Sequence, residues 1–190
     1  EIRRILVDMY LNEMDEVDAA SEHLEGLVEK APSLDDLRLL ARLRRRQGDT
    51  VEARRLLDEL RLHDEISNDE LGGVYSELGQ LVMSEGQDYE AAIQHFEEAF
   101  AIEADVSTLR LIVEATRHID DDSRLMTALD SAAAFMEGAE RLETLKSLVA
   151  LRLSNEMLEE ALVVLEDLIE EDPDDEESIR QLVGCLEQTG

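Results

Sequence analysis

The side chains best equipped for chemistry in this chain are arginines. Arg38, Arg42, Arg45 and Arg46 fall together at helical spacing. A guanidinium binds a carboxylate through two parallel hydrogen bonds, so such a stripe is suited to a carboxylate-bearing partner. The bland alternative is that these arginines pair with nearby acids on a solvated face. Other chemistry is thinly provided. The histidines (His23, His63, His95, His118) are dispersed, with no H-E-x-x-H spacing, and Gly72-Gly73 is isolated from any phosphate-binding pattern. Cys185 is the single cysteine and reads as a buried small hydrophobe. The run Glu170-Glu171-Asp172-Pro173-Asp174-Asp175-Glu176-Glu177 lacks the ligand order and glycine of a calcium loop. It reads as a turn whose acids favour the N-terminus of the following helix. The expectation is a binding protein, with no catalytic residue, no metal and no cofactor.

These residues need elements to position them, and the composition supplies helices. The chain has 190 residues, 44% hydrophobic and 3% aromatic, with only two prolines. Leu, Ala, Ile and Val dominate the apolar set, and β-branched runs bounded by turn signals are absent. The formal net charge is −30, from 48 acids and 18 bases, of which only Lys30 and Lys146 are lysines. Nucleic acid and anionic membrane surfaces are thereby disfavoured as partners. The acidity fits a basic partner, a well-solvated surface or a high-salt environment. No apolar run approaches the ~20 residues that span a bilayer. Glu1 opens the chain without Met and directly in an amphipathic pattern, which reads as an excerpt of a longer protein. Cytoplasm and periplasm both stay open.

The chain repeats itself. Its clearest segment carries Tyr75-x2-Leu78-Gly79-x2-Val82, then Gly86, then Tyr89-x2-Ala92-x3-Phe96-x2-Ala99. The alanine recurs as Ala20, Ala53, Ala92, Ala128 and Ala161, at spacings of 33, 39, 36 and 33. Four residues later stand Leu24, Leu57, Phe96, Ala132 and Leu165, and Pro32 and Pro173 close two repeats in register. Small residues at Gly79 and Ala92 let antiparallel helices approach closely, while large residues at i, i+3, i+4 and i+7 form the stripe between them. The periodicity predicts helices over roughly 2–14, 16–30, 34–47, 49–62, 68–85, 88–103, 106–118, 122–137, 140–153, 156–171 and 175–188. Ser33 or Asp35 starts the third, and Ser67 or Asn68 the fifth. Asn155 is suited to a left-handed turn. The extra residues of the 39 spacing fall around Arg61–Asn68, as a longer loop or an extended helix.

These motifs resemble the tetratricopeptide repeat (TPR) family over essentially the whole chain, with repeats of about 34 residues. The resemblance implies an all-α, right-handed α-solenoid of about five hairpins plus a C-terminal helix. It divides a single domain, 1–190, into repeats at approximately 1–33, 34–67, 72–105, 106–141 and 142–175, with a trailing helix at 176–190. The fourth repeat is the most worn. The resemblance also implies a concave groove lined by the first helix of each repeat. In that register the groove candidates are Arg38, Arg42, Arg45 and Arg46 in the second repeat and Glu77 and Gln80 in the third. Arg110 and Arg117 follow in the fourth, and Glu143, Lys146, Ser147, Ala150, Leu153 and Ser154 in the fifth. The first repeat presents Ile2, Ile5, Leu6, Met9, Asn12 and Glu13. So read, the groove is near neutral, and the acid excess belongs to second helices, loops and the convex face. The Lys/Asn carboxylate clamp of some family members is not present, because Ile5, Met9 and Leu39 stand at its places.

The function implied is a protein–protein interaction scaffold or adaptor that holds a peptide or helix of a partner. The alternative is an extracytoplasmic module of a bacterial exopolysaccharide export or envelope assembly system. Exposed end faces, Ile2, Ile5, Leu6 and Met9 foremost, offer a surface for self-association.

Overall fold

The computed structural model describes residues 2–14 and 16–189, without the side chains of Asn12 and Glu13. The expectations placed on Glu1, Asn12, Glu13 and Gly190 lie outside the described residues. Among the described residues there are eleven α-helices and no strand. They are α1 (Ile2–Met9, continued by a π-helical turn, Tyr10–Met14), α2 (Val17–Val28), α3 (Leu34–Arg46) and α4 (Thr50–Arg61). Next come α5 (Asn68–Gly86), α6 (Tyr89–Ile102), α7 (Val106–Thr116) and α8 (Asp122–Phe135). The last are α9 (Gly138–Ser154), α10 (Leu158–Glu171) and α11 (Glu176–Thr189). Each odd-numbered helix up to α9 pairs with its successor, which makes five hairpins, and α11 packs on α10. The chain forms two compact units, Glu1–Glu103 and Ala104–Gly190.

The helices start where side chains satisfy free backbone N–H groups. Ser33 accepts from the Asp36 amide, Asp49 from Glu52 and Asp88 from Ala91. Ser67 and Glu70 form a reciprocal capping box at the head of α5. Asp105 takes the amides of Ser107 and Thr108, and Asp121 that of Arg124. Three of the turns within hairpins use a left-handed residue. Gly48 supplies it at φ 80°, Gln87 at φ 54° and Glu156 at φ 60°. Asn155, the residue expected to do this, instead stays at φ −96° and uses its side chain, whose Nδ2 donates to Asp122 Oδ2 at 2.8 Å. The left-handed position falls on Glu156 instead.

The irregular spacings have local causes. The 39-residue interval holds both suggested features: a connection over 62–67, and a helix α5 that begins a full turn before Gly72. The 36-residue interval, from Ala92 to Ala128, holds the longer turn 117–121 between α7 and α8. Helix α8 stops at Phe135, and α9 begins at Gly138, whose φ of 58° suits glycine. Arg141 reaches back from α9 to donate to the Ala133 carbonyl near the end of α8.

In the N-terminal unit the core joins Leu24, Leu37, Leu40, Leu43, Leu56, Leu57, Leu60, Val74, Leu78 and Leu81. In the C-terminal unit it joins Leu129, Leu145, Leu148, Val149, Val164, Leu165, Leu168 and Cys185. The α5–α6 seam is the tightest. A Cβ added to Gly79 would stand 2.5 Å from Phe96 Cε1, so only glycine admits the fully buried Phe96 ring there. Successive hairpins are tied by the C-terminal ends of first helices. Arg44 pairs with Glu25 of α2, and Gln47 donates to Asp18 at 2.7 Å. In the second unit Arg152 donates to Asp130 of α8 at 2.6 Å, beside the Asn155–Asp122 bond.

Candidate partner-binding groove

The anticipated groove residues lie on first helices, and most are already engaged. In the N-terminal unit Arg42 Nη2 donates to Glu77 Oε1 at 2.9 Å, and Arg38 Nε lies 3.4 Å from the same oxygen. One carboxylate on α5 therefore bridges two guanidinium groups on α3. The Arg38 head also lies over Gly73, where an added Cβ would meet Nη2 at 2.3 Å. Arg45 and Arg46 are exposed, and Gln80 is half-buried. In the C-terminal unit Arg110 forks onto both oxygens of Glu140, with Nη2 to Oε2 at 2.6 Å. This pair raises the Arg110 pKa and holds the Glu140 carboxyl below its ordinary range. Lys146 Nζ lies 3.0 Å from Asp175 Oδ2. Hydrogen bonds from Ser178 and Lys146 lower the Asp175 pKa to about 2. Asp175 also takes the Glu177 amide at 3.3 Å, so the acidic run serves the start of α11.

These pairs share a direction. The cation belongs to one first helix, and the acid belongs to the next first helix or its cap. Arg4 of α1 follows the pattern, donating to Asp36 of α3 at 2.5 Å. Asp36, Glu140 and Asp175 stand at the leading ends of their helices, where an acid meets the favourable end of the dipole, whereas Glu77 lies mid-helix. A base on the preceding first helix reaches each. Sequence register located these residues, but it could not pair them, because the partner lies about one repeat away. Arg38 and Arg42 thus both pair with an acid, Glu77. The Arg45 side chain makes no hydrogen bond or ion pair with the described residues.

Arg117 differs from the other cations of the C-terminal unit. It is the C-cap of α7, is exposed, and makes no side-chain hydrogen bond or ion pair with the described residues. It borders a cleft of about 320 Å³ lined by Leu125 and Leu129 of α8 and by Ser147, Ala150, Leu151 and Ser154 of α9. Both serine hydroxyls donate to their own helix, Ser147 to the Glu143 carbonyl and Ser154 to the Leu151 carbonyl, each at 2.9 Å. Their oxygens keep lone pairs that can accept from a ligand. The leucines of α8, absent from the expected groove positions, supply the floor. Their signal was the second-helix stripe, which reads as core. A second cleft, of about 280 Å³, lies between α1, α2 and α3. It is lined by Arg4, Val7, Asp8, Leu24, Leu27, Asp35, Asp36 and Leu39.

No family model matches the chain, and no curated protein matches it. Solved structures do. A crystal structure of MamA protein superposes with TM-score 0.65 at 16% identity, covering 90% of this chain and 91% of that one. The TPR2AB domain of yeast Sti1, in a pHSP90 complex, gives 0.54 at 12% identity, covering 99% and 83%. Pseudomonas aeruginosa PilF gives 0.60 at 15%, covering 98% and 80%. The chain has the tetratricopeptide-repeat fold. Identities this low establish the architecture alone. Within the TPR fold α1, α3, α5, α7, α9 and α11 are the first helices of their repeats. Both clefts therefore open where a second helix floors the gap between neighbouring first helices. Among the described residues no helix is long and apolar enough to cross a membrane.

Proposed function

We propose that this TPR chain is a protein-interaction scaffold that holds a peptide or helix of a partner protein along its first helices. The observation that carries the reading is the cleft beside Arg117. It offers an apolar floor, an unpaired guanidinium and hydroxyl acceptors, which are the ingredients of side-chain recognition. The yeast Sti1 domain of the same fold, solved in a complex, supports partner binding as a use of this architecture. The chemistry on offer is hydrogen bonding and apolar contact, so the reading is binding rather than catalysis. Arg42 and Arg45 remain groove candidates in the N-terminal unit, with Arg42 shared with Glu77.

Co-purification from native extract tests the proposal. The parent chain is compared with Ala150→Leu, which fills the C-terminal cleft, and with Arg42→Glu/Arg45→Glu. Partners captured through the first helices should be lost from at least one variant while circular dichroism stays helical. A partner set unchanged in both variants overturns the groove reading.

A further inference from the structure

We propose that the cleft between α7, α8 and α9 takes an amphipathic partner helix. One aliphatic side chain would occupy the floor, and an acidic side chain one turn away would be held by Arg117. This rests on the scaffold reading and specifies its ligand. Leu125 and Leu151 are half-buried and line the cleft with apolar surface beside the buried Leu129. Covering such surface rewards an aliphatic residue with roughly 25 cal/mol per Å² removed from water. Arg117 supplies donors only, and no acid lines the cleft to neutralise it. The other first-helix cations of this unit are held: Arg110 by Glu140, Arg141 by Glu171, Lys146 by Asp175, Arg152 by Asp130 and Arg180 by Glu177. An incoming carboxylate therefore meets one unengaged guanidinium, and pairing the two leaves neither charge without a partner. The aliphatic and acidic side chains must share a face, and residues three or four apart on a helix do so. The net charge of −30 opposes an acidic ligand at long range. Salt screens that field over ~8 Å at physiological ionic strength, so contact chemistry decides.

Fluorescence anisotropy with synthetic peptides tests the inference. The probe is a labelled, acetylated and amidated peptide carrying a Leu-Ala-Ala-Glu pattern. Its controls replace Glu by Gln, Leu by Ser, or Glu by Lys, and a further Gln peptide keeps its free C-terminal carboxylate. The acidic peptide should bind, about tenfold more tightly than the Gln or Ser controls. Arg117→Gln should abolish the preference for Glu over Gln, and Ala150→Leu should abolish binding altogether. Methyl chemical shifts should move at Leu125 and Leu129. Equal binding of the Glu and Gln peptides, or an undiminished preference in Arg117→Gln, overturns the inference. Binding confined to the free-carboxylate peptide also overturns it, in favour of chain-end recognition. Capture of the Lys peptide at first-helix positions overturns the acidic ligand yet leaves the scaffold reading standing. Absence of binding by every peptide overturns the inference, and extract co-purification then decides the scaffold reading separately.

Discussion

The clefts of the two units each lie between two first helices and the second helix that links them, and they carry opposite charge. The N-terminal one has Asp8, Asp35 and Asp36 against Arg4, while the C-terminal one has Arg117 and no acid. The cause lies in which helix ends they meet. The first opens beside the start of α3, where Asp35 and Asp36 face the positive end of the dipole. The second opens beside the last turns of α7 and α9, where carbonyl groups favour a cation such as Arg117. Each unit thus has a cleft floored by a second helix, but at opposite helix ends and with opposite electrostatics. Binding has to be read cleft by cleft, and a net charge of −30 predicts neither one.

The largest effect that bears on this comparison is on the floors. Leu24 is 1% exposed and Leu129 is 2% exposed, so each is core and cleft wall at once. Leu24→Ala and Leu129→Ala should each cost about 2–5 kcal/mol in denaturant unfolding. If either costs under about 1 kcal/mol, that cleft is a loose surface feature and the structural equivalence of the two fails. The next effect concerns Glu77, which holds two guanidinium groups at once. Glu77→Gln should cost about 1 kcal/mol through the lost charged hydrogen bond. It should also release Arg38 and Arg42, giving the N-terminal unit a cationic first-helix patch like that at Arg117. A gain of binding by the acidic Leu-Ala-Ala-Glu peptide would show it. Unchanged binding would mean that a free cation without an apolar floor is not enough.

The sequence made most of the fold legible because helix stripes, caps and turn glycines are local signals. Ser33, Asp49, Ser67 and Asp88 announce helix starts from within three residues of the amides they bind. Gly79 likewise announced its close contact with Phe96, because only 17 positions separate them in a hairpin of known form. The site was less legible. Register put Arg38, Arg42, Arg110, Arg117 and Lys146 on first helices, but their availability depends on acids 29 to 39 residues away. Only the three-dimensional pairing separates Arg117 from the others. Asn155 was misplaced for a similar reason, since its amide answers to Asp122 of the preceding hairpin.

The smallest effect is the one that makes the comparison usable. Arg117 is exposed and holds no partner among the described residues, so the folded state loses almost nothing when its charge is removed. Arg117→Gln should shift stability by no more than about 0.5 kcal/mol. Arg110→Gln is its matched opposite on the same helix. It removes both halves of a fork and releases Glu140, whose carboxyl the pair holds below its ordinary range. Restoring the ordinary Glu140 pKa is the signature of that loss. Since a depressed carboxyl pKa stabilises above the unfolded value and fades as pH falls, Arg110→Gln should flatten stability on the acid side. Arg117→Gln should leave that acid limb superimposable on the parent's. Carboxyl chemical shifts followed through the titration measure both. If Arg117→Gln moves any carboxyl titration by a clear margin, Arg117 has an acid partner in solution. The C-terminal cleft then loses its free guanidinium and its contrast with the N-terminal one.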